Sequence, residues 1–355
     1  MARSARFPAV ILAALLLTLF PLATSAQAAK KVAVGPGDSI QAALDAAKPG
    51  DTILVNGTHR ENVAITKDGI DLRGRGAVLE PSAPPKENAC FDPSEPADVN
   101  GICVLGDVNF VTGEVIREVR DVTVSGFTIR GFSDSGIIAF GAHDATFKDN
   151  VAAGNAEYGI TAFVSTGTRM LFNRVSGGGE AGFYVGDSPT ADATLAGNET
   201  FDNLFGVLIR NALGGKVAAN SMHGNCDGLV VFADSPGPAG LFHLNANRIH
   251  DNSKACPASA DLPFPLSGVG VALLGATGVK INGNRITGNV PSGDTAFSGG
   301  VVLASGFGGT PPTNNRLQGN QILSNDPDIF WDETGSGNTF KGNNCDTSSP
   351  AGLCR

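Results

Sequence analysis

Apolar residues and asparagines recur together along this chain at a fixed short spacing. The unit reads apolar, two residues, Asn, one residue, apolar, two residues, Asn, as in Leu244, Asn247, Ile249 and Asn252. Some copies match the unit less well than others. The first, or leading, Asn residues of successive copies are Asn150, Asn173, Asn198, Asn220, Asn247, Asn284, Asn320 and Asn343. A period of about 22–25 residues, lengthened by insertions in two units, predicts a solenoid whose coils share one core.

A second apolar segment in each unit begins after a glycine. In Gly136-Ile-Ile-Ala-Phe140 the first and third residues after Gly are apolar. The same holds for the copies that begin at Gly159, Gly182, Gly206, Gly228, Gly270 and Gly300. This period-two pattern predicts strands with those residues inward, and no intervening segment has a helical period. The fold class that we predict is therefore all-β, a single parallel solenoid.

The repeated Asn residues are interpreted as structural. Asn tolerates the left-handed backbone conformation that a tight turn requires, and stacked amides can hydrogen-bond along the solenoid axis. A solenoid also needs caps at its two ends. We predict an N-terminal cap at about residues 37–50, where Asp38 or Ser39 begins a short amphipathic helix and Pro49-Gly50 ends it.

Six cysteines allow 15 disulfide pairings. Their grouping suggests Cys90–Cys103, Cys226–Cys256 and Cys345–Cys354, each of which closes a short segment. The last pair would form a C-terminal cap at about residues 345–354. Metal ligation is the alternative, but no Cys-x-x-Cys or Cys-x-x-His spacing occurs.

The N-terminus has the features of an export signal. Arg3 and Arg6 precede an apolar run from Val10 to Leu22, and Ala26-Gln27-Ala28 fits a cleavage site. We predict a signal peptide over residues 1–28 and one domain over residues 29–355, with no membrane span after cleavage; an uncleaved anchor is the alternative. The protein is then secreted, to the periplasm or outside the cell, where disulfides form.

Composition narrows the function classes. The chain has 47 Gly and only 17% charged residues, which disfavours a helical bundle. Its formal charge of -9 makes sequence-independent binding of nucleic acid unfavourable. Few His and Met residues disfavour a copper site, and we predict no cofactor, with a divalent metal left open.

The opening of the chain resembles a known superfamily. The segments Gly37-Asp-Ser-Ile-Gln-Ala-Ala-Leu-Asp-Ala-Ala47, Pro49-Gly-Asp-Thr-Ile-Leu-Val55 and Gly69-Ile-Asp-Leu-Arg-Gly74 are similar to those of right-handed parallel β-helix proteins of the pectate-lyase-like type. The resemblance covers roughly residues 32–345 and implies a right-handed β-helix with a short N-terminal capping helix.

That superfamily includes polysaccharide lyases, glycoside hydrolases, uronate epimerases, pectin esterases, adhesins and a periplasmic copper-maturation accessory protein. The signatures of polygalacturonases, pectate lyases and pectin methylesterases are missing from this sequence. The resemblance implies a protein that binds or processes a polysaccharide or cell-surface glycan, with an anionic one favoured. A non-catalytic adhesive protein and a copper-accessory protein are the alternatives.

Three sets of outward residues are candidates for function. Lys216, His243, Lys280 and Arg316 fall four residues before successive leading Asn residues and would suit an anionic glycan, or else form a solvated face. His223 and His250, with Asp202 and Asp251, would suit acid–base chemistry or metal binding, or else be ordinary surface residues.

The third set lies on the strands that follow glycine. Their outward positions hold Tyr184, Arg210 and the aromatic residues Phe140, Phe163, Phe232 and Phe330. Aromatic side chains on an open face could stack on sugar rings. The alternative is that the insertions at 253–268 and 291–298 cover this face.

Overall fold

The computed structural model describes residues 29–354, apart from residues 92, 110–111, 235–236 and 260–261. In this part of the chain, parallel strands stack coil upon coil, accompanied by the helix Ile40–Ala46. The structure is a right-handed β-helix, which confirms the predicted fold class. The predicted signal peptide, residues 1–28, lies outside the described residues.

Each complete coil has three flat faces, called A, B and C in the order in which the chain forms them. Face A precedes the leading Asn, face B lies between the two Asn residues of the repeat, and face C begins at the glycine. Faces A and B belong to one 19-stranded sheet, and face C is an 11-stranded sheet.

The strands of face A are Lys31–Val34, Thr146–Lys148, Arg169–Leu171, Ala193–Ala196, Leu213–Ala218, Gly240–Asn245, Lys280–Asn282, Arg316–Gln318 and Thr339–Lys341. Those of face B are Val151–Ala153, Arg174–Ser176, Glu199–Phe201, Ser221–His223, Arg248–His250, Arg285–Thr287 and Gln321–Leu323. The long strands that run through both faces are Thr52–Arg60, Asp71–Glu80 and Thr123–Arg130.

The strands of face C are Val63–Ile65, Ile102–Leu105, Ile137–Phe140, Tyr158–Phe163, Ala181–Gly186, Phe205–Arg210, Asp227–Phe232, Val269–Leu274, Gly299–Ala304, Ile329–Trp331 and Ser348–Ser349. The remaining strands form an antiparallel hairpin, Asp107–Asn109 with Glu114–Arg117, and a short parallel pair, Val119–Arg120 with Ala142–His143. In face C the first and third residues after glycine point into the core as predicted, for example Val207 and Ile209.

The leading Asn side chains lie inside the solenoid and form a continuous hydrogen-bonded ladder. Asn247 Nδ2 donates to Asn284 Oδ1 at 2.9 Å and to the Val217 carbonyl at 2.8 Å. Its Oδ1 accepts the main-chain N–H and the side-chain amide of Asn220, both at 3.0 Å. The same amide contact joins each leading Asn to the next, from Asn150 to Asn343.

The second Asn of the repeat forms a parallel ladder, which runs from Asn203 to Asn325 and ends on the Asp328 carboxylate. The predicted stacking of amides is thus confirmed, but the predicted backbone role was wrong. The left-handed residue is the one before the ladder Asn, as at Ala246 with φ 55° and Asp251 with φ 54°. The buried amide instead satisfies main-chain groups that the turn leaves unpaired.

The glycine before each face C strand is required because a side chain there has no space. A Cβ at Gly228 would lie 2.6 Å from the Gly270 carbonyl oxygen and 2.8 Å from Asn252 Nδ2. A Cβ at Gly270 would lie 2.4 Å from the Gly300 oxygen. The close stacking of these main-chain segments therefore depends on glycine in successive coils.

The two ends are covered differently. Ser39 caps the helix, because its Oγ accepts the N–H of Ala42 at 3.2 Å, and Ile40 and Leu44 are buried. At the other end, Leu353 and the disulfide-bonded Cys345 and Cys354 pack against the core. All three disulfides have the pairing that the sequence suggested.

Replacing Asn247 by alanine should reduce the free energy of unfolding by about 3 kcal/mol, because it leaves buried amide and carbonyl groups of Asn220 and Val217 unpaired. Asn245→Ala is the matched control, since Asn245 points outward from the same coil, and it should cost less than about 0.5 kcal/mol. Urea denaturation followed by circular dichroism measures both. Equal losses would contradict the role assigned to the ladder.

Candidate functional site

The predicted histidine pair forms on face B. His223 and His250 are register partners, and their rings stack with centroids 5.1 Å apart and planes 18° apart. Phe201 stacks on the other side of His223, with centroids 5.3 Å apart. The structure therefore brings the two imidazoles together as the repeat predicted.

Of the two predicted carboxylates, Asp251 contacts this pair and Asp202 does not, while Glu199 contacts it without having been predicted. His223 Nε2 lies 3.3 Å from Glu199 Oε1, and His250 Nδ1 lies 2.8 Å from Asp251 Oδ2. The hydrogen bond from Arg174 lowers the pKa of Glu199, and the bond to His223 lowers it further. Asp202 is exposed at a left-handed turn, and no hydrogen bond among the described residues joins its side chain to either histidine. The structure thus brings His223, His250 and Asp251 together and leaves Asp202 apart from them.

The predicted basic column is present on face A. Lys216, His243, Lys280 and Arg316 are register partners in successive coils, and all four are exposed. Tyr184 and Arg210, predicted with them as substrate-binding residues, lie on face C. The predicted binding residues therefore belong to two separate surfaces of the solenoid.

The outward residues of face C fall in two columns. One column contains Phe140, Phe163, Gly186, Arg210 and Phe232. Gly186 is the member that comes from the same strand as Tyr184. Tyr184 and Phe330 belong to the other column. The Tyr184 ring covers Gly186, where a Cβ would lie 2.0 Å from Tyr184 Cε1. Tyr184 is itself only 1% exposed.

A pocket of about 350 Å³ lies over these columns. The insertion over residues 253–268 covers part of face C, as the alternative to an open face predicted, because Leu262 and Leu266 are buried in one cluster with Ala272 and Val302. The pocket lies at the edge of this covered part. Its floor and walls include aromatic residues from both the face and the insertions, namely Tyr158, Phe163, Tyr184, Phe205, Phe232, Phe264, Phe297 and Phe307. The volume lies in the range of small-molecule sites.

The insertion is held in place by covalent and aromatic contacts. The Cys226–Cys256 disulfide joins the segment 253–268 to the coil beneath it, and main-chain bonds of 2.9 Å link Cys256 with Leu266 in both directions. Phe264 contacts Phe297 and Phe307, and Phe307 meets Phe232 edge-on at 4.7 Å. These contacts fix the wall of the pocket relative to its floor.

Two hydrogen-bonded pairs line the pocket. The Tyr158 hydroxyl donates to Glu180 Oε2 at 2.5 Å, and burial together with Glu180 raises the tyrosine pKa. Arg210 donates to Asp234 Oδ2 through Nε at 3.0 Å and Nη2 at 2.7 Å. The charge of Arg210 is therefore offset within the pocket.

The acidic edge of the pocket extends into the preceding coils. The main-chain N–H of Glu180 donates to the Glu157 carbonyl, and that of Glu157 to the Asp134 carbonyl, so the three acids stand in successive coils. Burial, and then the neighbouring Asp134, raise the pKa of Glu157 to about 8.

Asp227 is a buried acid that also lines the pocket. It is 1% exposed, its Oδ1 accepts the Leu229 N–H at 2.9 Å, and its Oδ2 has no hydrogen-bond partner among the described residues. Burial raises its pKa well above the ordinary value, although the hydrogen bond from Leu229 opposes the shift. A buried, protonated carboxyl can donate a hydrogen bond to a ligand.

Sequence reasoning singled out neither Asp227 nor Tyr158 as a pocket residue. Both lie just before the glycine of the repeat and are in one register column with Ala181, Phe205 and Val269. The alternation of side chains breaks at the glycine, so their direction could not be read from the period. A column of residues preceding the repeated glycines was the available signal.

In the part of the chain that the structure describes, no group of three or more His, Cys, Asp and Glu side chains is arranged to hold a metal ion. Over the same residues, no helix has the length and apolar character needed to cross a membrane.

Asp227→Asn should change how stability depends on pH. Because the folded-state pKa is raised above 3.8, Asp227 contributes its full stability below that pH and loses it as pH rises through the folded value. The asparagine variant lacks this loss, so it should match the wild type near pH 4 and exceed it increasingly at neutral and alkaline pH. Urea midpoints across this range measure the difference, and a pH-independent difference would contradict the assignment.

Comparison with known proteins supports the fold. A family described as "Right handed beta helix region" matches residues 53–203 and 115–315. No curated protein sequence matches. The structure is similar to the A-modules of two Azotobacter vinelandii mannuronan C-5 epimerases. The match to AlgE4 has a TM-score of 0.61 at 19% identity and covers 90% of this chain and 95% of that one. The match to AlgE6 has a TM-score of 0.57 at 20% identity and covers 86% of this chain and 88% of that one.

A structure described as the complex of XylC with xylose has a TM-score of 0.60 at 9% identity, and the match covers 83% of this chain and 69% of that one. Such identities show a shared fold and leave activity open. The family match extends over more than half of the chain. This protein belongs to the right-handed β-helix family.

Proposed function

We propose that this protein is an exported polysaccharide-binding protein and that the face C pocket receives a sugar residue of the polymer. One observation carries the proposal: aromatic walls and hydrogen-bonding groups converge in a pocket that is closed on one side by the disulfide-anchored insertion. The disulfides and the predicted signal over residues 1–28 support export.

The aromatic residues suit the apolar faces of a sugar ring. Phe163, Phe205 and Phe232 line the pocket and are each partly exposed, so their rings are accessible to a ligand. Phe307 is 57% exposed beside Phe232. Burial of these surfaces against a sugar ring would provide both hydrophobic and aromatic stabilisation.

The polar groups suit sugar hydroxyls. Glu180 and Asp234 can accept hydrogen bonds, Arg210 can donate, and Asp227 also lines the pocket, with an Oδ2 that has no hydrogen-bond partner among the described residues. Since Asp234 offsets Arg210, the pocket has no surplus positive charge. It therefore suits the hydroxyl-bearing part of a sugar better than a carboxylate.

The structural comparisons agree with a glycan ligand without identifying it. Two of the similar structures are named as mannuronan epimerases, and one is described with xylose bound. Proton transfer by Asp227 or by the Tyr158–Glu180 pair would allow lyase, hydrolase or epimerase chemistry on a bound polymer. A binding assay should therefore be accompanied by a search for unsaturated products, new reducing ends and epimerised residues.

Phe232→Ala should weaken oligosaccharide binding by roughly tenfold, because it removes one aromatic wall of the pocket. The test is isothermal titration of the mature protein with neutral and uronic-acid oligosaccharides of defined length. Phe172→Ala is the matched control, since Phe172 is 66% exposed at the corner between faces A and B, and it should leave affinity unchanged.

Tyr158→Phe provides a second variant that preserves the packing of the ring. It removes only the hydroxyl that donates to Glu180, so it separates a folding defect in Phe232→Ala from loss of the site. We expect weaker binding and an unchanged circular dichroism spectrum. Absence of binding to every oligosaccharide, or equal affinity of wild type and both pocket variants, would refute the proposed function.

A further inference from the structure

The C-terminal part of faces A and B carries a concentration of positive charge. Eight strands form this surface, from Leu213–Ala218 and Ser221–His223 to Arg316–Gln318 and Gln321–Leu323. Together they contain five Lys or Arg residues, three of the five histidines of the chain, and no Asp or Glu. In a chain with a formal charge of -9, such a surface is not expected from composition alone.

The charges are ordered by the repeat. Lys216, His243, Lys280 and Arg316 form one column on face A, and Arg248 and Arg285 are register partners on face B. Neighbouring strands lie about 4.8 Å apart, so each column places basic side chains at that interval along the axis. We call these six residues the basic stripe.

The basic stripe has no ion-pair partner among the described residues. The side-chain hydrogen bonds found are from Arg285 to Gln321, at 3.0 Å, and from Arg316 to Gln318, both neutral acceptors. Asp192 lines a surface cleft with Lys216 and His243 but is not within ion-pair distance of either. The cations thus repel one another unless an anion binds.

The surface between the two columns is polar and narrow. Asn245, Asn282 and Gln318 are register partners that follow the face A cations by two residues. The corner beyond them is formed by Ala246, Gly283 and Gly319, which are small and left-handed. A chain lying along this corner could reach cations on both sides and amides in between.

We propose that the basic stripe binds a linear acidic polysaccharide along the solenoid axis, separately from the face C pocket. Such a polymer carries carboxylates or sulfates at regular intervals, which complements cations repeated from coil to coil, and its hydroxyls complement the row of amides. The proposal does not depend on the pocket, because the two surfaces share no residue.

The test compares two triple variants that remove the same number of charges. Lys216→Gln/Lys280→Gln/Arg316→Gln alters the basic stripe. Lys31→Gln/Arg75→Gln/Lys86→Gln alters exposed cations elsewhere. Polymannuronate oligomers are titrated at low and high salt, with an uncharged mannan oligomer and single-stranded DNA as further probes.

We expect the stripe variant to bind polymannuronate roughly tenfold more weakly at low salt, with a smaller salt dependence, and the control to bind like the wild type. Phe232→Ala should retain this salt-dependent component, which separates failure of the stripe from failure of the pocket. Equal weakening in both triple variants would overturn the proposal by showing a general charge effect. DNA binding as tight as polymannuronate binding would overturn it in favour of an unselective polyanion surface.

Discussion

The stacking of buried asparagine amides is the interaction on which the rest of this structure depends. Each amide satisfies main-chain groups of the preceding coil and contacts the next amide, as Asn247 does with Val217 and Asn284. Unpaired polar groups inside the solenoid would be costly, so the ladder fixes where each coil turns. With the turns fixed, equivalent residues of successive coils come into register, and both candidate sites are consequences of that register.

The two surfaces use the register in different ways. On face C an insertion anchored by Cys226–Cys256 interrupts the regular face and creates a pocket that is closed on one side and lined by a buried acid, Asp227. On faces A and B the regular coil is uncovered, and repetition itself places Lys280 and Arg316 side by side.

Much of the fold could be predicted from the sequence because the repeat is explicit. The inward residues, the disulfide pairs and the register of Lys216 with His243 all follow from spacing. The candidate pocket could not be predicted, because it depends on how an irregular insertion folds back and on side-chain direction at Tyr158, where glycine interrupts the alternation. The role of asparagine was misassigned for a similar reason: the residue before it takes the left-handed conformation.

A crystal structure of the protein with a bound oligosaccharide is the most direct test of whether the face C pocket is a carbohydrate site. If it is, a sugar ring will lie against Phe232, with hydroxyl contacts to Glu180 or Arg210 and a hydrogen bond to Asp227 Oδ2. A sugar bound on another surface while the pocket holds only water would contradict the proposal.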